Sequence, residues 1–312
     1  LNPSLRSVLQ SSVGIASSLS PKVRKARKNG VSVFVFHEVS DLVSPFAARH
    51  SLTTSLELFR EQVTWISKNF DIIHPDVLLG NKAPKNSAVV TFDDGWLGTF
   101  ENAFPILEEM KIPALVFLNL EPIYKETFLA SAMADYLGAF EFSFVDFSLQ
   151  HEISAPYHLS LTPDHYANFT SNTGNSHEER QRHDQGSLAS RAELATWDGH
   201  DLFRYGNHLY NHWNVAILSC SELKYQYQTN QDLLESYKSS RPLFAYPNGQ
   251  PGTCYTPAHN KQISEFGSRR LFSATGGVNF SGDEITLDRI ALTAWHNSPS
   301  RFWYALGRKT LF

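Results

Sequence analysis

An α/β fold with a parallel sheet is what this chain of 312 residues predicts, because strand-like and helix-like stretches take turns along it and the polar residues gather at one end of the strands. Seven short runs rich in β-branched and aromatic residues read as buried strands: Val31–Phe36, Ala88–Phe92, Ala114–Leu120, Leu202–Tyr205, Leu243–Tyr246, Leu271–Ala274 and Leu287–Leu292. His37, Asp93, Asp94, His208, Asn248 and Thr275 fall at or just beyond their carboxyl ends, where parallel α/β folds bind ligands.

The helices are justified by periodicity and caps. From Ser55 to Phe70, Leu56, Phe59, Val63, Ile66 and Phe70 recur at three- and four-residue spacing, with Thr54 and Glu57 as a capping box. From Ser221 to Tyr237 a second stripe runs through Leu223, Tyr227, Leu234 and Tyr237, opened by Ser219 and Glu222. Gly267 suits the end of a helix carrying Ile263 and Phe266. Between about 121 and 195 the alternation breaks. Five histidines (His151, His158, His165, His177, His183) and polar stretches suggest a helical insertion or lid, with the histidines at the surface rather than on a ligand. The expected organisation is a basic helical arm over 1–30 and one domain over 31–312.

Composition narrows the function. With 42% hydrophobic and 19% charged residues the chain can bury a large core. No apolar run reaches the 18 residues or so that a spanning helix needs. A net charge of −4 argues against nucleic acid as the partner, and the single basic cluster, Lys22 to Lys28, reads as a solvated arm. Cys220 and Cys254 fit one disulfide or two free thiols. The expected location is the cytoplasm, with a periplasmic or secreted protein that has lost its signal peptide as the alternative.

Two segments carry chemistry. In Thr91-Phe92-Asp93-Asp94-Gly95, one aspartate can ligate a cation while the other accepts a proton from the cation's water. The plainer reading is an Asp-Gly turn ending a strand. In Gly206-Asn207-His208-Leu209-Tyr210-Asn211-His212, two imidazoles stand four apart. One carboxylate and two imidazoles with an open position are the donor set of catalytic zinc.

Together with Phe34-Val35-Phe36-His37-Glu38-Val39-Ser40, Phe244-Ala245-Tyr246-Pro247-Asn248-Gly249 and Leu287-Asp288-Arg289-Ile290, these segments follow one another in the order of a known family. The chain resembles the polysaccharide deacetylases with a NodB-type domain (carbohydrate esterase family 4-like), in a subgroup with the Phe-Ala-Tyr-Pro pattern. That resemblance implies a deformed barrel of seven or so β/α units and a divalent metal, usually zinc. It implies Asp93 as general base and Asp94, His208 and His212 as metal ligands, with the Asn248 N–H on the oxyanion. The implied substrate is an N-acetylated carbohydrate or lipid-linked sugar, cleaved to acetate and a free amine, or less often an O-acetyl ester.

Three positions depart from the family pattern. Leu209 stands where Ser or Thr usually braces the metal loop. Ala245 replaces an arginine that orients the base, for which Arg289 is the substitute unless it merely pairs with Asp288. The general acid is either His37 or His296, since Thr293-Ala294-Trp295-His296 lacks the usual Leu-x-His motif. Trp96, Tyr246 and His296 are expected to face the sugar, the first two by stacking on its ring.

Overall fold

The strand Val31–Phe36 is buried at every position, as are Ser87–Phe92 and Ala114–Leu118. That is how parallel strands covered on both faces behave. The computed structural model describes residues 3–80, 83–173, 178–280 and 284–311. In it these three strands are followed in the sheet by Phe203–Asn207, Ser240–Ala245, Arg270–Phe272 and the pair Thr286–Leu287 and Arg289–Ala291, all parallel.

The last two pieces are one stretch of chain interrupted only by Asp288. Thr286 and Leu287 pair with Leu271 and Phe272, while Arg289–Ala291 pair with Val33–Val35 of the first strand. One broken stave thus joins the two ends of the sheet and closes a barrel of seven, the architecture the family resemblance implied. A further short strand, Asp71–Ile72, pairs with the start of Ser87–Phe92.

Side chains alternate across the barrel wall with the strand period of two. Val33, Val89, Leu115, Phe117, Leu243, Phe272 and Leu287 form one buried cluster inside it. Their sequence neighbours Phe34, Val90, Val116 and Leu118 pack outward on helix residues such as Phe59, Val63 and Ile66. Counting by twos up the inward face leads from Val33 to His37, from Val89 to Asp93 and from Leu287 to Arg289. Gly206 keeps this interior filled, since a Cβ there would lie 2.6 Å from the Phe117 ring.

The helix expected after Thr54 spans Leu56–Asn69, but Ser55 caps it, accepting the Leu58 N–H. The helix Cys220–Leu234 carries the expected Ser219–Glu222 capping box. Among the described residues of 120–197 there are six α-helices, from Leu120–Lys125 to Arg191–Trp197. At the terminus, helices Pro3–Leu19 and Pro21–Asn29 pack on the C-terminal helix Pro299–Leu311. The second buries Val23 and Ala26 while Lys22, Arg24, Lys25 and Lys28 stay exposed. Cys220 and Cys254 are free thiols. Among the described residues no helix is long and apolar enough to cross a membrane.

Beside the first strand a small two-stranded sheet pairs Glu38–Val39 with Thr53–Thr54. Burial pushes the Glu38 carboxyl up to about 7, although the Thr53 hydroxyl donates to it. Being raised in the fold, this group favours folding most below the unfolded value near 4.5. Its contribution is lost as pH rises to 7, by about 3 kcal/mol at most. Glu38→Gln is therefore expected to raise Tm by roughly 5 °C near pH 8. Near pH 4 the change should almost vanish, and thermal unfolding at the two pH values checks it.

Candidate active site

The two aspartates occupy the turn that leaves the second barrel strand. Asp94 has φ 72° and Gly95 φ 88°, both left-handed, so the chain turns back within two residues and both carboxylates reach the barrel mouth. Leu209 (φ 65°) and Asn248 (φ 60°) take the same conformation in the loops after two other strands. For non-glycine residues this region costs free energy, and it clusters where a site dictates backbone direction.

Asp94, His208 and His212 are buried, and their donor atoms lie within 4.8 Å of one another. Asp94 Oδ1 is 3.5 Å from His208 Nε2 and 3.4 Å from His212 Nε2. His208 is oriented by its other nitrogen, Nδ1, 2.8 Å from the Ala245 carbonyl oxygen. Donation there leaves the Nε2 lone pair aimed at Asp94. Burial pulls the His212 imidazole down to about 4, with Asp94 acting the other way, so the ring stays neutral at physiological pH. Asp94 Oδ1, His208 Nε2 and His212 Nδ1 are buried without a hydrogen-bond partner. Asp94 Oδ1 and His208 Nε2, both orphaned, face each other with His212 Nε2 beside them, an arrangement that fits a cation between them better than hydrogen-bonded packing.

Asp93 faces the same space, gripped from the barrel interior. Arg289, 1% exposed, donates from both terminal nitrogens to the two carboxylate oxygens at 2.6 and 2.7 Å, and from Nε to the Ser273 carbonyl. Its guanidinium lies 5.3 Å from the Phe117 ring centroid. Burial pushes the Asp93 carboxyl up, but the Arg289 charge, with His208 beside it, outweighs that and holds it below its ordinary value. Asp288 does not compete for Arg289: its carboxylate takes Lys309, Ser273 Oγ and Thr275 Oγ1 instead.

His37 and Asn248 border the same cavity of about 250 Å³, together with Asp93, Asp94, His212 and Arg289. The Gly249 N–H turns back to the Pro247 carbonyl. Among the described residues nothing accepts the Asn248 N–H, and its side-chain Nδ2 is buried without a partner.

Several expected roles need correction. Trp96 does not face a sugar: it is 0% exposed, and its indole N–H donates to Asp94 Oδ2 at 2.9 Å. Tyr246 touches the cavity edge, but its ring is wholly buried, stacked 3.8 Å from Tyr255, with its hydroxyl donating to Asn260. His296 lies outside the cavity lining. Its Nδ1 accepts the Thr293 N–H at 3.1 Å, a local turn that Thr256 and His259 repeat at 3.0 Å. Nor are the insertion histidines all superficial. His151 and His183 are exposed and His165 is half-buried, but His158 borders the cavity; His177 lies outside the described residues.

The bracing missing at Leu209 comes from buried amides that sequence reasoning passed over. Asn207 Oδ1 accepts the Leu209 N–H at 2.9 Å, and Asn119 Nδ2 donates to the His208 and Leu209 carbonyls. Asn230 Nδ2 donates to Asn207 Oδ1 at 2.9 Å, and Asn211 Oδ1 accepts the His212 N–H at 2.7 Å. Leu209 itself packs in a buried apolar cluster. The signal was a set of asparagines at or just after strand ends, Asn119, Asn207 and Asn211, which is weak because asparagine is also an ordinary loop residue, while Asn230 sits inside the helix Cys220–Leu234.

Trp96 links this centre to the insertion. It forms a β-bridge with Leu188, while Leu97 N–H and the Gly95 carbonyl pair with Ser187 and Ala189 at 3.0 and 2.9 Å. Phe46, Leu129 and Ala132 pack with it. Trp96→Phe keeps this packing but leaves Asp94 Oδ2 unpaired. Titration of the purified variant with zinc is expected to show affinity about 10–100-fold weaker than the parent's.

Two aspartates and two histidines thus meet at the carboxyl end of a barrel of seven parallel staves. Residues 80–141, the stretch holding the double aspartate, match the family model for polysaccharide deacetylases. Solved deacetylases share its fold. PplD of Streptococcus pyogenes, determined with acetate, superposes with TM-score 0.59 at 13% identity, over 89% of this chain and 98% of its own. IcaB from Ammonifex degensii gives 0.58 at 19%, over 89% and 97%. A de-N-acetylase from Aggregatibacter actinomycetemcomitans gives 0.56 at 13%, over 88% and 99%. No curated protein matches the sequence.

Proposed function

We propose that the protein is a metal-dependent hydrolase that removes N-acetyl groups from a glycan or sugar precursor. The observation that carries this reading is the meeting of the Asp94, His208 and His212 donor set, in which Asp94 Oδ1 and His208 Nε2 have no hydrogen-bond partner, with the Asp93–Arg289 pair beside it. Two imidazoles and one carboxylate suit zinc, which when bound supplies a Lewis acid and lowers the pKa of a water.

The chain's own groups then have separate tasks. Asp93 accepts a proton from the attacking water, whose oxygen adds to the acetyl carbon. Arg289 fixes both carboxylate oxygens so that the remaining lone pairs point into the cavity. The free Asn248 N–H donates to the acetyl oxygen as negative charge builds on it. His37 delivers a proton to the nitrogen as the carbon–nitrogen bond breaks, leaving acetate and a free amine.

Acetate release from N-acetylated hexosaminides by the purified chain tests the reading. Release that stops with a chelator and returns with zinc is the expected result. If the metal-loaded chain binds these sugars yet releases no acetate, the hydrolase reading fails.

A further inference from the structure

The cavity holding the candidate catalytic groups is shut on one side by two segments that belong to no barrel strand. Phe46, His50 and Leu52, from the segment after the first strand, form one part of this wall, and Ser131 and His158 of the insertion form the other. The two parts are latched. Arg49 makes a two-pronged pair with Asp184 at 2.8 and 2.6 Å and reaches Asp135 at 2.6 Å, and His50 approaches Asp135 at 3.2 Å. Ser44 Oγ adds a 2.7 Å bond to the Gln185 carbonyl, and the His50 and His158 rings meet edge to face at 6.0 Å. Several charge-assisted bonds in one place hold such a wall far better than one exposed pair.

From this we infer that the site takes a single N-acetylated hexosamine residue at the end of its carrier, and not residues inside a polymer. The inference rests on the deacetylase reading above and specifies its substrate. Three observations favour it. A polymer lying across the mouth needs both sides open, and the latched wall closes one. The cavity, about 250 Å³, sits just under the ~300 Å³ lower edge of ordinary ligand pockets, room for one acetamido sugar and not for its neighbours. Finally, the wall is equipped for hydroxyl groups. Ser131 and His158 present polar side chains on it, and across the cavity Asn248 Nδ2 is buried without a hydrogen-bond partner. Polar groups left unpaired at a cavity wall are what a small polyol satisfies.

The test uses the zinc-loaded full chain with two probes, methyl N-acetyl-β-glucosaminide and the N-acetylglucosamine pentamer. Acetate release is followed, and the deacetylated position is mapped by mass spectrometry. The expected result is one acetyl lost per pentamer, from a terminal residue, with kcat/KM for the two probes within about threefold. Loss of internal acetyl groups, or kcat/KM rising tenfold or more with chain length, overturns the inference and leaves the deacetylase reading standing. No acetate from either probe sinks both.

Two variants test the wall itself. Arg49→Ala should open it, so that more than one acetyl is lost per pentamer; a product pattern unchanged from the parent counts against it. His158→Ala, which keeps the Arg49 and Ser44 bonds of the latch, should raise KM for the glycoside about tenfold at unchanged kcat and metal content. An unchanged KM removes His158 from the sugar contact and overturns that part of the wall.

Discussion

Asp93→Asn is expected to leave the metal content at that of the parent and to cut acetate release about 10³-fold. The size follows from the job proposed for the carboxylate: a positioned base contributes about 10²–10⁴-fold, and an amide cannot take the proton. The metal content should hold because the ligand side of the turn has its own supports. Asp94 is tied to Trp96, His208 to the Ala245 carbonyl and His212 to Asn211, bonds that do not run through the Asp93 carboxylate. A second effect comes with it. Arg289 presents two donors to Asp93, and an amide offers one acceptor and one opposing N–H. The variant should therefore also melt several degrees lower, as seen by thermal unfolding. Undiminished acetate release would remove Asp93 from the base role whatever happened to stability.

The strands were legible because parallel barrel strands are buried on both faces and write themselves as apolar runs; Val31–Phe36 matches to the residue and the others to within a few. The last stave was read as continuous because nothing local reveals that Asp288 leaves the ladder for Ser273, Thr275 and Lys309. The double aspartate and the two histidines were legible as motifs, since their spacing is local. What surrounds them was less so. Trp96 follows an Asp-Gly turn, where an aromatic side chain can face solvent, ligand or core. The choice was made by Phe46, Leu129 and Leu188, residues far away in sequence that only the folded chain brings near. His296 was misjudged for the opposite reason. Its Thr-x-x-His turn is short-range, and Thr256 and His259 make the same bond, so this local pattern could have identified it as a cap.

Arg289→Met shows what the departure at Ala245 amounts to. Arg289 occupies the inward layer of Val33, with which it pairs in register, and rises from there to Asp93. Methionine has nearly the same reach and suits the Phe117 ring beneath it, so little packing is lost. What is lost is the charge that keeps a 4% exposed carboxylate ionised. Breaking a buried pair by removing one partner typically costs about 3–5 kcal/mol, because the other charge stays behind. Denaturant unfolding near neutral pH should show a loss of that order. The double variant Asp93→Asn with Arg289→Met removes both charges and should recover most of it, since neutralised pairs of similar volume are often tolerated. Acetate release should fall at least as far in Arg289→Met as in Asp93→Asn, because a base without its orienting fork either takes up a proton or turns away from the water. Strict additivity of the two single losses would mean that Arg289 supports the barrel through Ser273 and Phe117 alone, and that the carboxylate depends on some other cation.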